Sequence, residues 1–168
     1  DNDRYLRHNA RGEWSVGGQL FMDCDGTPPG MQDQITLVYG HHLRDGSMFE
    51  QIAALDDQAR FDAVERVWYV TDAQSYDCVP LFVCYVHETD ETGRSMRFAS
   101  DEDFRAYVAG RLEGAPAARA DAAKLADEAD HLLFLVTCNY LDEYEGHGRT
   151  ILVCAPRDEL GSLVADKE

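Results

Sequence analysis

Apolar residues fall in short blocks along the chain, separated by polar turns. ITLVYG at 35–40 is apolar almost throughout, which predicts a strand buried on both faces. VERVWYVTDA at 64–73 and YDCVPLFVCYVHE at 76–88 read as two strands of a hairpin. Pro80 has no N–H for a ladder, so it is expected at an edge or a bulge. GGQLFMDCDGTPPG at 17–30 predicts a short strand running into a Pro/Gly turn. HLLFLVTC at 131–138 and RTILVCAPR at 149–157 supply the last two strands.

Elsewhere the period changes. HHLRDGSMFEQIAAL predicts a loop with Asp45-Gly46 turn chemistry and a short helix from about Met48. In SDEDFRAYVAGRL, Ser100 precedes an acidic first turn, and Phe104, Tyr107, Val108 and Leu112 recur at helical spacing. The alanine-rich stretch 115–130 predicts a second helix starting near Pro116. No repeat or long linker interrupts the 168 residues, enough for a sizeable core. The expectation is one β-rich domain over 1–168, with a helical insertion before the penultimate strand.

Hydrophobic residues make up 45% and charged residues 28%, ordinary globular values. The net charge of -17 is not ordinary. It disfavours nucleic acid and anionic membrane surfaces, and favours solubility and amine-bearing partners. No apolar run approaches the ~20 residues of a membrane span, and no signal peptide is visible at the opening DNDRYL.

Five cysteines stand at 24, 78, 84, 138 and 154, with no CxxC pair and no zinc-type histidine spacing, so no metal or cofactor is expected. Cys78 and Cys84 would share a face of one strand, too far apart to bridge. Cys24, Cys78, Cys84 and Cys154 read as buried apolar thiols, although spacing leaves disulfides among them open. Cys138 is different, because it ends an apolar run instead of sitting inside one. A nucleophilic thiol needs an activator, usually a histidine distant in sequence. His41 and His42 lie where ITLVYG ends, after Gly40, which would let the backbone turn tightly. Arg149 opens the next strand, eleven positions beyond Cys138. Its guanidinium could hold a carbonyl or oxyanion, or simply pair with Asp142 or Glu145.

YGHHLRDGSMF, LVTC and GRTILV, in this order, resemble the class B sortases, cysteine transpeptidases of Gram-positive cell surfaces. RYLRHNARGEWSVGGQLFMDC and SDEDFRAYVAGRL extend the resemblance over nearly the whole chain. It implies a mainly β fold, an eight-stranded sortase barrel with a helical insertion between strands six and seven. It also implies Cys138 as nucleophile, His41 as general acid/base and Arg149 as the oxyanion or substrate-positioning group. His42 is then a neighbour with a loop-surface imidazole, and Leu6 and Thr137 flank a substrate groove. The implied reaction cleaves a sorting motif of the NPxTx kind after Thr through a Cys138 thioester. The acyl group then passes to an amine of peptidoglycan or a pilin subunit, at the extracellular face of the membrane. The family's N-terminal anchor, helix and first strand have no counterpart in the sequence. Phe134 and Val136 depart from the family's usual Thr and Ser before the nucleophile. Two other readings stand beside this one: a thiol peptidase with water as acceptor, and a non-catalytic haem or metal binder using His41, His42 and nearby tyrosines.

Overall fold

The computed structural model describes residues 1–141 and 145–164. Its strands are β1 (Phe21–Met22), β2 (Ile35–Tyr39), β3 (Val67–Val70), β4 (Ser75–His87), β5 (Ala117–Ala118), β6 (Leu132–Asn139) and β7 (Gly148–Pro156). They form one sheet in the order β1-β2-β6-β7-β4-β3, with β5 added to β4. The β2–β6 pair is parallel and every other pair is antiparallel. The helices are α1 (Asn2–Arg7), α2 (Glu50–Ala53), α3 (Gln58–Asp62), α4 (Asp101–Leu112), α5 (Ala122–Glu128) and α6 (Arg157–Leu160).

The mainly β architecture matches the expectation, with one difference in count. The described residues form seven strands where the resemblance implies eight, and no backbone ladder joins β1 to β3. A side chain spans that opening instead. The Tyr69 hydroxyl of β3 donates to the Pro29 carbonyl at 2.6 Å and lies 4.0 Å from the Met22 sulfur. The sheet therefore curls until its two ends meet.

Alternation along the strands sorts the core into two layers. Ile35, Leu37, Leu132, Phe134, Val136, Ile151, Val153 and Ala155 pack with Phe104 and Val108 of α4 and Leu125 of α5. Val38, Leu133, Leu135, Leu152 and Cys154 face the other way, against Ile52 of α2, Leu55 in the turn that follows it and Phe61 of α3. Both sheet faces are covered, which is why these strands read as continuous apolar runs.

Pro80 sits at a register shift between Pro80 and Phe82, a bulge as its missing N–H demands. The partner on its open side changes there too, since β3 pairing stops at Cys78 and β5 pairing starts at Phe82. The extra residue reverses the alternation. Cys78 consequently joins the layer under α2 and α3 while Cys84 joins the layer under α4 and α5, so they do not share a face.

Three further expectations need correction. The helix expected near Pro116 begins at Ala122, because Ala117 and Ala118 pair with Val83 and Phe82 as β5. Tertiary ladder hydrogen bonds outweigh alanine's helix preference there. The helix expected from Met48 begins at Glu50, since Met48 adopts a left-handed backbone (φ 60°) and bridges to His42. Cys24 is exposed in the turn after β1, not buried; all five thiols are free. Ser100 does cap α4, its Oγ accepting from the Asp103 amide at 3.1 Å. No described helix is long and apolar enough to cross a membrane.

Candidate active site

Three strand ends assemble the site. In the parallel pair, Tyr39 stands opposite Val136. Two residues further along each strand, on the same face by alternation, come His41 and Cys138. In the neighbouring antiparallel pair, Cys138 lies directly opposite Arg149. Cys138 shares its face with Phe134 and Val136, and Arg149 shares its face with Ile151 and Val153, so all three project from the layer that α4 and α5 cover. They emerge at its open end, in a cleft of about 260 Å³ that they line with Leu6, Tyr39 and Arg94.

Gly40 positions His41 by leaving room, not by turning. Its backbone is not left-handed. A Cβ there would lie 2.6 Å from the Phe49 ring and 2.6 Å from Leu20 Cδ2. With that space open, the Gly40 amide donates to the Val136 carbonyl at 3.1 Å, and the Phe49 amide donates to the His41 carbonyl at 2.9 Å.

The His41 ring is oriented by the main chain. Nε2 lies 2.9 Å from the Leu6 carbonyl, which can only accept, so this bond assigns the hydrogen to Nε2. In the neutral ring Nδ1 then keeps its lone pair. Leu6 thus enters through its oxygen as well as through the cleft wall. Thr137 borders the cleft but is buried on the opposite face of β6 from Cys138, and its hydroxyl has no hydrogen-bond partner among the described residues.

His42 is not a loose surface imidazole. Its Nδ1 donates to the Cys138 carbonyl at 3.0 Å, and its ring centroid is 5.0 Å from that of Tyr140. Alternation turns it away from His41, which removes the convergent histidine pair that a haem or metal binder would use.

Of the two carboxylates considered from the sequence, the described Glu145 makes no ion pair with Arg149. Asp142 lies outside the described residues. Among the described residues the carboxylate partner is Glu88, just past the end of β4, which accepts from Arg149 Nη2 at 2.8 Å; Nη1 donates to the Gly148 carbonyl at 2.9 Å. The other Glu88 oxygen accepts from His147 Nδ1 at 2.6 Å. These hydrogen bonds, from His147 first and Arg149 second, hold the Glu88 carboxyl below its usual range.

A second network underlies the cleft. Asp23 is fully buried, yet its carboxylate accepts from Arg94 Nε and Nη2 at 3.0 and 2.8 Å and from the Tyr39 hydroxyl at 2.8 Å. Asn2 Nδ2 and the Asp25 amide complete its shell. Burial alone would raise the Asp23 pKa, and is the largest single effect. The bonds from Arg94, Asp25 and Tyr39 together outweigh it, leaving the carboxyl below its usual range. Sequence reasoning missed both Glu88 and this network. In each network the carboxylate stands far along the chain from its arginine, 61 residues for Glu88 and Arg149 and 71 for Asp23 and Arg94, and no local motif links them.

Comparison with known proteins bears on the whole chain. No family model matches it. Sortase B of Listeria monocytogenes is 29% identical over 152 residues, covering 90% of the chain and 59% of that protein. The crystal structure of Clostridium perfringens sortase B superposes with a TM-score of 0.79 at 25% identity, over 92% of this chain and 81% of that one. In sequence and in fold the chain is similar to the class B sortases. It spans about three-fifths of the length of the listerial sortase it matches. A listerial sortase B structure gives a TM-score of 0.76 at 25% identity, over 92% and 82% of the two chains. Set against the sortase pattern, Phe134 is fully buried and Val136 is 5% exposed within the same core layer. Both departures are thus absorbed in packing beneath the nucleophile.

Proposed function

We propose that this protein is a cysteine transpeptidase that cleaves a C-terminal sorting motif of the NPxTx kind after Thr. The observation that carries the reading is the convergence of Cys138, His41 and Arg149 at one cleft mouth from three separate strands. His41 Nδ1 takes the thiol proton, and the sulfur attacks the carbonyl of the motif's Thr. As His41 becomes an imidazolium, the Leu6 carbonyl still accepts from Nε2–H and stabilises the charge. Arg149 receives the developing oxyanion. His41 then protonates the departing amine, leaving an acyl thioester on Cys138. A second amine, from peptidoglycan or a pilin subunit, displaces the sulfur and releases the thiol.

A Staphylococcus aureus sortase B is known in complex with substrate, and a sortase B in complex with triglycine. A peptide donor and a short amine acceptor are the corresponding ligands proposed for this cleft. The site of action is the extracellular face of the membrane.

Intact-mass spectrometry with a panel of NPxTx and LPxTx peptides, with Cys138→Ala as control, tests the reading. An adduct equal to the peptide cleaved after Thr, absent in the variant, supports it and reveals the motif. Adding triglycine should convert that adduct to a ligated product. Cleavage unaffected by triglycine favours a thiol peptidase with water as acceptor. Wild-type protein that neither cleaves nor forms an adduct with any peptide counts against the enzymatic reading.

A further inference from the structure

A guanidinium is useful to an oxyanion only where it is held still before the charge develops. Arg149 is a long side chain, 28% exposed, at the mouth of an open cleft. Its neighbour Gly148 supplies one main-chain acceptor for Nη1, and that bond alone leaves the planar guanidinium free to pivot about it. Glu88 supplies the second point of attachment, at Nη2, 2.8 Å away.

Glu88 is itself anchored at two points on the approach to β7. Its amide donates to the His147 carbonyl at 2.8 Å, and its second carboxylate oxygen accepts from His147 Nδ1 at 2.6 Å. The register of β4 with β7, Val86 against Arg149 and His87 against Gly148, carries Glu88 to this position. Both partners of the Arg149–Glu88 pair keep about a third of their side-chain surface in solvent. A pair so exposed contributes little to stability, so folding gives it no strong reason to exist. Holding geometry does. With Nη2 bound on one side and Nη1 on the other, the guanidinium plane is set, and its remaining N–H groups are left for the cleft.

We propose that Glu88 is the positioning residue for Arg149, orienting the guanidinium toward the substrate carbonyl without touching substrate itself. The inference rests on the transpeptidase reading and adds a residue to it. Because the oriented arginine acts on the charge that forms during attack, loss of Glu88 should lower turnover more than substrate affinity.

The test compares wild-type protein, Glu88→Ala and Glu88→Gln on a peptide that the wild type cleaves, reading kcat and KM separately. Unfolding temperature and the alkylation rate of Cys138 report on the fold. Glu88→Ala should lose about tenfold or more in kcat with KM changed less than about twofold. Glu88→Gln keeps an oxygen for Arg149, and its amide can donate to His147 once that ring takes its other tautomer. It should return to within about threefold of wild type. An alanine variant with wild-type kcat overturns the proposal while leaving the transpeptidase reading intact. So does a glutamine variant as slow as alanine, or a fall in kcat matched by a fall in unfolding temperature and in Cys138 alkylation. A wild type that cleaves no peptide overturns the transpeptidase reading, and this inference with it.

Discussion

Asp23→Asn tests whether the buried carboxylate beneath the cleft is held by its hydrogen bonds. In the wild type, five donors converge on it: Arg94 Nε and Nη2, the Tyr39 hydroxyl, Asn2 Nδ2 and the Asp25 amide. Arg94 Nε, Tyr39 and Asn2 share Oδ2, while Arg94 Nη2 and the Asp25 amide share Oδ1. An asparagine amide must replace one of these oxygens by a donor. The better orientation places its nitrogen at Oδ1, so two bonds become donor–donor contacts and the charge on the other three is lost. Charge-assisted bonds are worth about 1.5–3 kcal/mol each, and breaking one side of a buried pair costs about 3–5 kcal/mol. Arg94 is 51% exposed and can rehydrate, which moves the figure down. The expected loss is about 2–3 kcal/mol at pH 7, or roughly 4–12 °C in Tm for a domain of this size.

The pH dependence gives a second, independent reading of the same residue. The Asp23 pKa is lowered on folding. Its stabilisation is therefore complete above the unfolded-state value near 3.8 and is lost as pH falls through the lower folded-state value. Asp33, Asp90 and Asp121 are lowered too, but they titrate in both proteins and cancel in the difference. Urea denaturation of wild type and variant at pH 7 and in increasing acid should show the gap narrowing below about pH 4. A gap under about 1 kcal/mol at pH 7 would refute the hydrogen-bond accounting. A gap that stays constant into acid would refute the assignment of the lowered carboxyl.

Gly40→Ala should destabilise the protein by about 1–3 kcal/mol through overpacking against Phe49 and Leu20. The displaced His41 should also slow peptide cleavage roughly tenfold or more; full activity with an unchanged Tm would contradict the spatial role given to this glycine. Cysteine labelling separates the five thiols. Cys24 and Cys138 should react with iodoacetamide in the native state, while Cys78, Cys84 and Cys154 should react only after unfolding. Burial pushes Cys78 and Cys84 up to about 12 and raises Cys154 as well. Mass spectrometry should therefore count two adducts before urea and five after it.

The strands were legible because their signal is local. ITLVYG, LLFLVTC and RTILVCA are apolar runs of strand length, and both faces of the sheet prove to be covered. The hairpin of β3 and β4, the bulge at Pro80 and the Ser100 cap likewise follow from chemistry within a few residues. The motif YGHH, the strand-terminal Cys138 and the strand-opening Arg149 were visible for the same reason.

What pairing decides was not legible. The bulge at Pro80 places Cys78 and Cys84 on opposite faces, although their even spacing points to one. The β4 edge draws Ala117 and Ala118 into a strand against their helical preference. Which imidazole enters the cleft depends on the alternation of β2 continued past Tyr39. Glu88 reaches Arg149 only through the β4–β7 register, across 61 residues, and Arg94 reaches Asp23 across 71. Hydrophobic period and turn chemistry act over a few residues, so they are written in the sequence itself. The partners of buried or clefted charges are selected by which strands lie side by side, and that selection exists only once the sheet has formed.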